Sequence, residues 1–341
     1  MRCTFMDMIG ILLCTMIPTL SVAQEAAEWT RKADMGRPRS APDALTVDDT
    51  IYVFGGGDGS GPIVYADVER YHPATDQWER LPDMPIPGGG QPHRIGDKIY
   101  LFGGWNNGVY GTVQVFDLRT ETWTKLESPM PSASYLFRPF QIGSRIWLFG
   151  GAIRRGVPGK TTIDIFDPDG VETWTTKAGF PQHQGYYGAE MVSSDRLVFI
   201  GGGDQDAQGN PANFVDRVDI YDPDFDRWNQ GAPMPTPRGG MATATDGRRV
   251  YVLGGAFPVT SAIEAYDADT DTWSHVGELP TPLLAPGFAQ MGGKLYLFGG
   301  GGFGWQQATA QTLQWTIPAF IPTAVSAANK LSITWGDLKR R

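Results

Sequence analysis

Past residue 14 the chain contains no cysteine: Cys3 and Cys14 are the only two among 341 residues. Disulfide stapling, cysteine nucleophiles and thioether cofactors are therefore excluded from residues 15–341. Histidine is nearly as scarce, and the four present are too scattered for the ligand spacing of a zinc or copper centre. No metal and no cofactor is expected. Neither a Gly-x-Ser-x-Gly nucleophile turn nor a Gly-x-x-x-x-Gly-Lys phosphate loop occurs. Asn-x-Ser/Thr is absent as well, so N-glycosylation is not expected. Basic clusters interleaved with aromatics are missing and the formal net charge is −9, which leaves no electrostatic footprint for nucleic acid. After residue 20 no apolar run is long enough to span a membrane as a helix.

What the chain has in quantity is glycine, 44 residues, and most of it is organised. A short apolar run closed by a diglycine recurs six times: Ile51–Gly56, Ile99–Gly104, Ile146–Gly151, Leu197–Gly202, Val250–Gly255 and Leu295–Gly300. Successive runs start 48, 47, 51, 53 and 45 residues apart. A period near 50 built on strand-like runs marks a ring of repeated blades. After each of the first five diglycines comes an alternating strand ending in an aromatic: Val68–Tyr71, Val113–Phe116, Ile163–Phe166, Val218–Tyr221 and Ile263–Tyr266. The alternation predicts half-buried strands. Seven or eight residues further on stands a tryptophan, at 78, 123, 174, 228 and 273, beyond turn formers such as Asp222-Pro-Asp224. A proline-rich stretch and another strand lead back to the next diglycine. Four strands per repeat make one blade.

The ordered set of diglycine, spaced Tyr or Phe, and Trp resembles the Kelch repeat family over residues 28–317. The arginine often found at the start of the innermost Kelch strand is present as Arg39 and Arg238 and replaced by Pro87, Ser134 and Leu283 elsewhere. Trp29 precedes every diglycine, whereas the sixth diglycine is followed by Thr312–Trp315 and then by no tryptophan at the required distance. The expected fold is therefore an all-β, six-bladed β-propeller of four-stranded blades, closed by an N-terminal strand that completes the last blade. Closure removes exposed sheet edges. Residues 24–317 are expected to form the propeller, with 318–341 as a C-terminal tail, either plain or a sorting or docking tag. Residues 1–23 read as a signal peptide: Arg2, an apolar stretch from Met8 to Leu20, then the small-residue site Ser21-Val22-Ala23. Export to the periplasm or the extracellular space is expected.

The resemblance also implies a ligand face, built from the loops after each diglycine and those entering each inner strand. On this chain that assigns Trp105, Arg154, Arg155, Phe257, Phe303 and Trp305 to the first set. Arg39, Asp43, Gln91, His93, Tyr135, Arg138, His183, Tyr186, Tyr187, Glu190 and Arg238 fall in the second. Aromatics beside arginines suit protein or glycan recognition through stacking and bidentate hydrogen bonds. The strings Asp222/Asp224/Asp226 and Asp267/Asp269/Asp271 look like oxygen-rich calcium loops, but their place between strand and tryptophan assigns them to turns. The first expectation is a secreted, non-catalytic scaffold that binds a protein or carbohydrate ligand. The alternative is a carbohydrate-active enzyme resembling sialic-acid epimerases, which are exported six-bladed Kelch propellers; Glu190 with Arg138 or Arg238 would serve as acid/base group and carboxylate anchor. A galactose-oxidase-like reading fails for want of cysteine.

Overall fold

The computed structural model describes residues 28–318 apart from 60–62, 155–156, 170–171, 182–184, 206–210, 257 and 302–306. Within these residues there is no helix, and six four-stranded antiparallel sheets repeat in chain order. They are blade 1 (43–81), blade 2 (91–125), blade 3 (139–178), blade 4 (188–231), blade 5 (242–278) and blade 6 (287–316 joined by 29–32). A separate two-stranded ribbon, Asp204–Gln205 with Pro211–Ala212, rises from the loop of blade 4. The predicted signal peptide and all of the tail beyond Pro318 lie outside the described residues.

Each second strand is sandwiched between neighbouring blades on both faces, so it reads as an unbroken apolar run. In Ile51–Phe54 no residue is more than 3% exposed. The diglycine that ends such a run is dictated by the next blade. A Cβ on Gly103 would lie 2.2 Å from the carbonyl oxygen of Ser134, and one on Gly299 equally close to that of Arg39. Both glycines also hold φ near +60°, where a side chain is strained. The following glycine donates its N–H across the same seam, Gly300 to Arg39 O at 3.0 Å and Gly255 to Leu283 O at 2.8 Å.

The tryptophans work on the outer edge. Trp78, Trp123 and Trp273 each donate an indole N–H, at 2.9 Å, to a carbonyl belonging to the preceding blade: Ala33, Pro82 and Ala232. Trp29 does the same toward Glu278 at 3.0 Å. Its strand Trp29–Lys32 pairs antiparallel with Thr312–Thr316, setting Trp29 opposite Trp315 with rings stacked at 6.0 Å. The ring closes three strands plus one.

The third strands differ from the half-buried reading. Their polar residues Glu69, Gln114, Asp164, Asp219 and Glu264 are all buried, none more than 8% exposed. The adjoining blade covers the face that an isolated sheet would leave to water. Beyond these strands, the aspartate strings are spent on turns. Asp222 accepts the N–H groups of Asp224 and Phe225, and Asp226 accepts the Tyr221 hydroxyl at 2.8 Å. Asp267 and Asp271 repeat the arrangement one blade later.

Candidate functional site: the mouth of the central channel

The inner strands stand side by side around the axis, tied by bonds that cross from blade to blade. Thr46 donates to Gln290 O at 2.9 Å, and Gln290 exchanges two bonds with the Thr245 backbone. Register aligns their first residues, because each lies opposite the residue before a diglycine: Asp43 on Phe54, Gln91 on Phe102, Gly188 on Ile200, Ala242 on Leu253 and Gly287 on Phe298. Arg138, one residue before the Pro139–Leu148 pair, holds that place in blade 3. Blades 1 to 3 thus present Asp, Gln and Arg, whereas blades 4 to 6 present Gly, Ala and Gly. The small residues leave room, and the arginine fills it.

Arg138 reaches to blade 6, where its guanidinium lies 4.2 Å from the centre of the Phe288 ring. Its main-chain N–H donates to the Tyr187 hydroxyl at 3.0 Å, and that hydroxyl donates to Phe149 O. Among the described residues the guanidinium itself makes no hydrogen bond and no ion pair within 4 Å. Two carboxylates flank it at longer range. Asp43 accepts from Gln91 Nε2 at 2.8 Å and from Gly90 N–H at 3.2 Å. Glu190 accepts from the Thr243 hydroxyl at 2.6 Å.

Enclosure shifts all of these groups. Burial pushes Asp43 up to about 6, opposed by the charge of Arg138 and by its bonds to Gly90 and Gln91. Burial likewise raises Glu190, against the pull of Thr243 and Arg138. His93, on the same ring of strands, is pushed down to about 4 by burial, only partly offset by Gln141, so its imidazole is neutral at neutral pH. The site therefore combines a half-buried cation laid on an aromatic ring with two carboxyls that take up protons more readily than usual. It is fitted to hold an anion and to exchange protons.

Of the residues assigned to the ligand face, Asp43, Gln91, His93, Arg138, Tyr187 and Glu190 converge here. Trp105 and Tyr135 pack together at the rim between blades 2 and 3, ring centres 5.5 Å apart. Tyr186 is buried at φ +56°, its carbonyl bonded to Gly240 N–H. Arg154 stands exposed on its loop. Arg155, His183, Phe257, Phe303 and Trp305 lie outside the described residues.

Arg39 and Arg238 are elsewhere, and this corrects their assignment to a ligand surface. They are 0% and 1% exposed, locked inside their blades against Glu69 and Glu264. The cause is visible across the repeats. The register places Glu69, Gln114, Asp164, Glu264 and Leu313 at one equivalent position of the third strand. Where the arginine is present the partner is glutamate; opposite Pro87 it is the neutral Gln114, and opposite Leu283 it is Leu313. Opposite Ser134 stands Asp164, whose charge is met by Lys160 instead. In blade 4 the register puts Asp219 in the same column, paired with Arg217, so among the described residues no charge in this column is left alone.

Three contributors escaped the sequence reading: Phe288, Thr243 and Gln141, all on inner strands with no charge to mark them. Nor, among the described residues, do any three His, Cys, Asp or Glu side chains gather closely enough to hold a metal ion.

Comparison with known proteins agrees with the repeat architecture. The profile of the "KLHDC2/KLHL20/DRC7 Kelch-repeats domain" matches residues 19–151 and 95–301. Beta-scruin of Limulus polyphemus is 28% identical over 241 residues, covering 66% of this chain and 25% of that protein. Kelch-like protein terF of Aspergillus terreus is 32% identical over 193 residues, 52% of this chain and 41% of its own length. The chain thus spans well under half of these relatives. Among solved structures, one titled "Structure of YjhT" superposes with a TM-score of 0.70 over 83% of this chain and 96% of that one, at 16% identity, a likeness of fold.

Proposed function

Because the chain belongs to the Kelch-repeat family, we propose that it is an exported interaction scaffold that grips a protein or glycan ligand with the loops on one face of the propeller. The observation that carries this reading is what the loops after the diglycines expose in blades 1 to 3. Ile63 is 52% exposed and Ile153 39%, beside the exposed Arg154 and, in blade 2, the half-buried Trp105. Apolar anchors with an adjacent arginine are the usual makings of a recognition surface, and loops on a rigid ring can vary without disturbing it. A peptide and glycan array probed with the wild-type chain and with an Ile63→Asp/Ile153→Asp/Arg154→Glu variant tests it. Binding lost in a variant that melts normally supports the face; binding that survives moves the ligand elsewhere. Export is tested by sequencing the N-terminus of the secreted chain, expected to begin at Gln24.

A second reading, turnover of an acidic sugar in the manner of sialic-acid epimerases, draws support from Glu190 and Arg138 sharing the channel. Accelerated anomer exchange of N-acetylneuraminate, followed by NMR and abolished in Glu190→Gln, would favour it over a plain scaffold. No acceleration by the wild type would end it.

A further inference from the structure

We propose that a groove on the outer rim, where blade 4 meets blade 5, receives an arginine side chain presented by a partner polypeptide and holds it with Asp216 and Asp271. The groove encloses about 540 Å³ and is lined by Val215–Val218, Gln230–Pro233 and Asp271. That is room for one long side chain and the backbone that carries it. The inference goes beyond the loop face of blades 1 to 3 and needs no chemistry in the channel, so it would stand if either of those readings fell.

The polar groups of the groove differ in what they have left to offer. Arg217 donates Nε and Nη2 to the buried Asp219, at 2.6 Å each, so that pair is neutral as a unit. Asp271 gives one carboxylate oxygen to the Ala232 N–H and the Tyr266 hydroxyl, both at 2.6 Å, bonds that hold it ionised. Its second oxygen bonds to no described residue. Asp216 is exposed, and its carboxylate makes no hydrogen bond or ion pair with any described residue; the same holds for the Gln230 amide. The groove therefore carries two unneutralised negative charges beside an amide oxygen, over the apolar flank of Val215, Ala232 and Pro233. A planar guanidinium can serve two carboxylates with different edges while its aliphatic stem lies along apolar surface, which a compact ammonium does less well.

Blade 1 has arginines of the chain itself at the equivalent place. Register matches Val218 and Gly231 to Val68 and Leu81, because each valine pairs with the residue before its diglycine and with the fourth strand. Counting back, Arg217 corresponds to Asp67, Val215 to Tyr65 and Gln230 to Arg80. In blade 1 the Arg37 guanidinium lies 4.5 Å over the Tyr65 ring with Nε 2.8 Å from Asp67 Oδ2, and Arg80 Nη2 stands 3.1 Å from Asp67 Oδ1. A guanidinium is what this corner of a blade already holds where the chain supplies one. In blade 4 the fourth-strand arginine is replaced by Gln230 and Ala66 by Asp216, and neither Asp216 nor Asp271 has an ion-pair partner among the described residues.

The end-blocked tripeptide Gly-Arg-Gly is a suitable probe, with Gly-citrulline-Gly as its uncharged isostere and Gly-Lys-Gly as the ammonium control, titrated into the full chain and followed by backbone amide shifts in NMR. The arginine peptide is expected to move the amides of 215–218 and 230–232 saturably, more tightly than the lysine peptide, while the citrulline peptide leaves them in place. Asp216→Asn should weaken binding about fivefold, the worth of one exposed ion pair. Gln230→Arg, which restores the arginine of blade 1, should abolish it by placing the chain's own cation in the groove. Both variants alter exposed side chains and should melt as the wild type does. No saturable shift of these amides, or citrulline bound as well as arginine, overturns the site. So does wild-type affinity in both variants. Equal binding of the lysine peptide overturns the assignment to a guanidinium. None of these outcomes bears on the array test of Ile63, Ile153 and Arg154.

Discussion

Arg138 and Arg238 stand one hundred residues apart in the chain and meet opposite fates. Arg238 lies four residues before the inner strand Ala242–Thr245, its carbonyl held by Gly202 N–H of the previous blade, so its side chain runs back into the sheet to Glu264. Arg138 stands at the strand itself, one residue before Pro139–Ile142, and its side chain enters the channel. Four residues of repeat phase separate a structural ion pair from a side chain that lies on an aromatic ring in the channel. The lesson is that in a repeat protein the column a residue occupies says more than its type.

Removing the blade arginine should have the largest effect. Arg238→Leu leaves Glu264 buried without its countercharge, and chemical denaturation should register a loss of about 3–5 kcal/mol. Adding Glu264→Leu recreates the pairing already present in blade 6 as Leu283 and Leu313, and stability should return to within about 1 kcal/mol of wild type. If the double variant stays as unstable as the single one, the equivalence of the two columns is wrong.

A smaller effect is expected for the channel arginine. Arg138→Leu removes no hydrogen bond made by the side chain, so the cost should be about 1 kcal/mol, mainly the lost stacking on Phe288. A loss as large as that of Arg238→Leu would mean the two arginines do the same work.

The smallest effect is a slope. Asp43 holds its proton more tightly in the folded chain, near about 6, than unfolded, near about 4. The folded state therefore binds more protons between these values, and the stability tied to Asp43 is present below about pH 4 and lost as pH rises through about 6. The melting temperature of Asp43→Asn should change less over this window than that of the wild type; parallel curves would show that Asp43 titrates as an ordinary exposed carboxyl.

Much of the fold was legible because its signals are local and repeat. The diglycine reports a seam where backbone meets backbone, and each tryptophan reports an outer strand that must reach the blade before it. Trp29 could be assigned to blade 6 by counting alone. The buried role of Arg39 and Arg238 was also written in the sequence, in the matched changes Arg with Glu, Pro with Gln and Leu with Leu, but only once register identifies the column to compare. The channel was half legible. Its charged members fall at strand starts that the repeat marks, whereas Phe288 and Thr243 are unremarkable residues made important by what faces them across the axis.

The amino-acid order alone settled the number of blades, their four-stranded build and the way the ends are latched, because each depends on contacts between neighbours in a periodic pattern. Which arginine is consumed and which is free was decided only by folding. Blades far apart in the chain bring side chains together around one axis, and no periodicity along the chain encodes who meets whom across it.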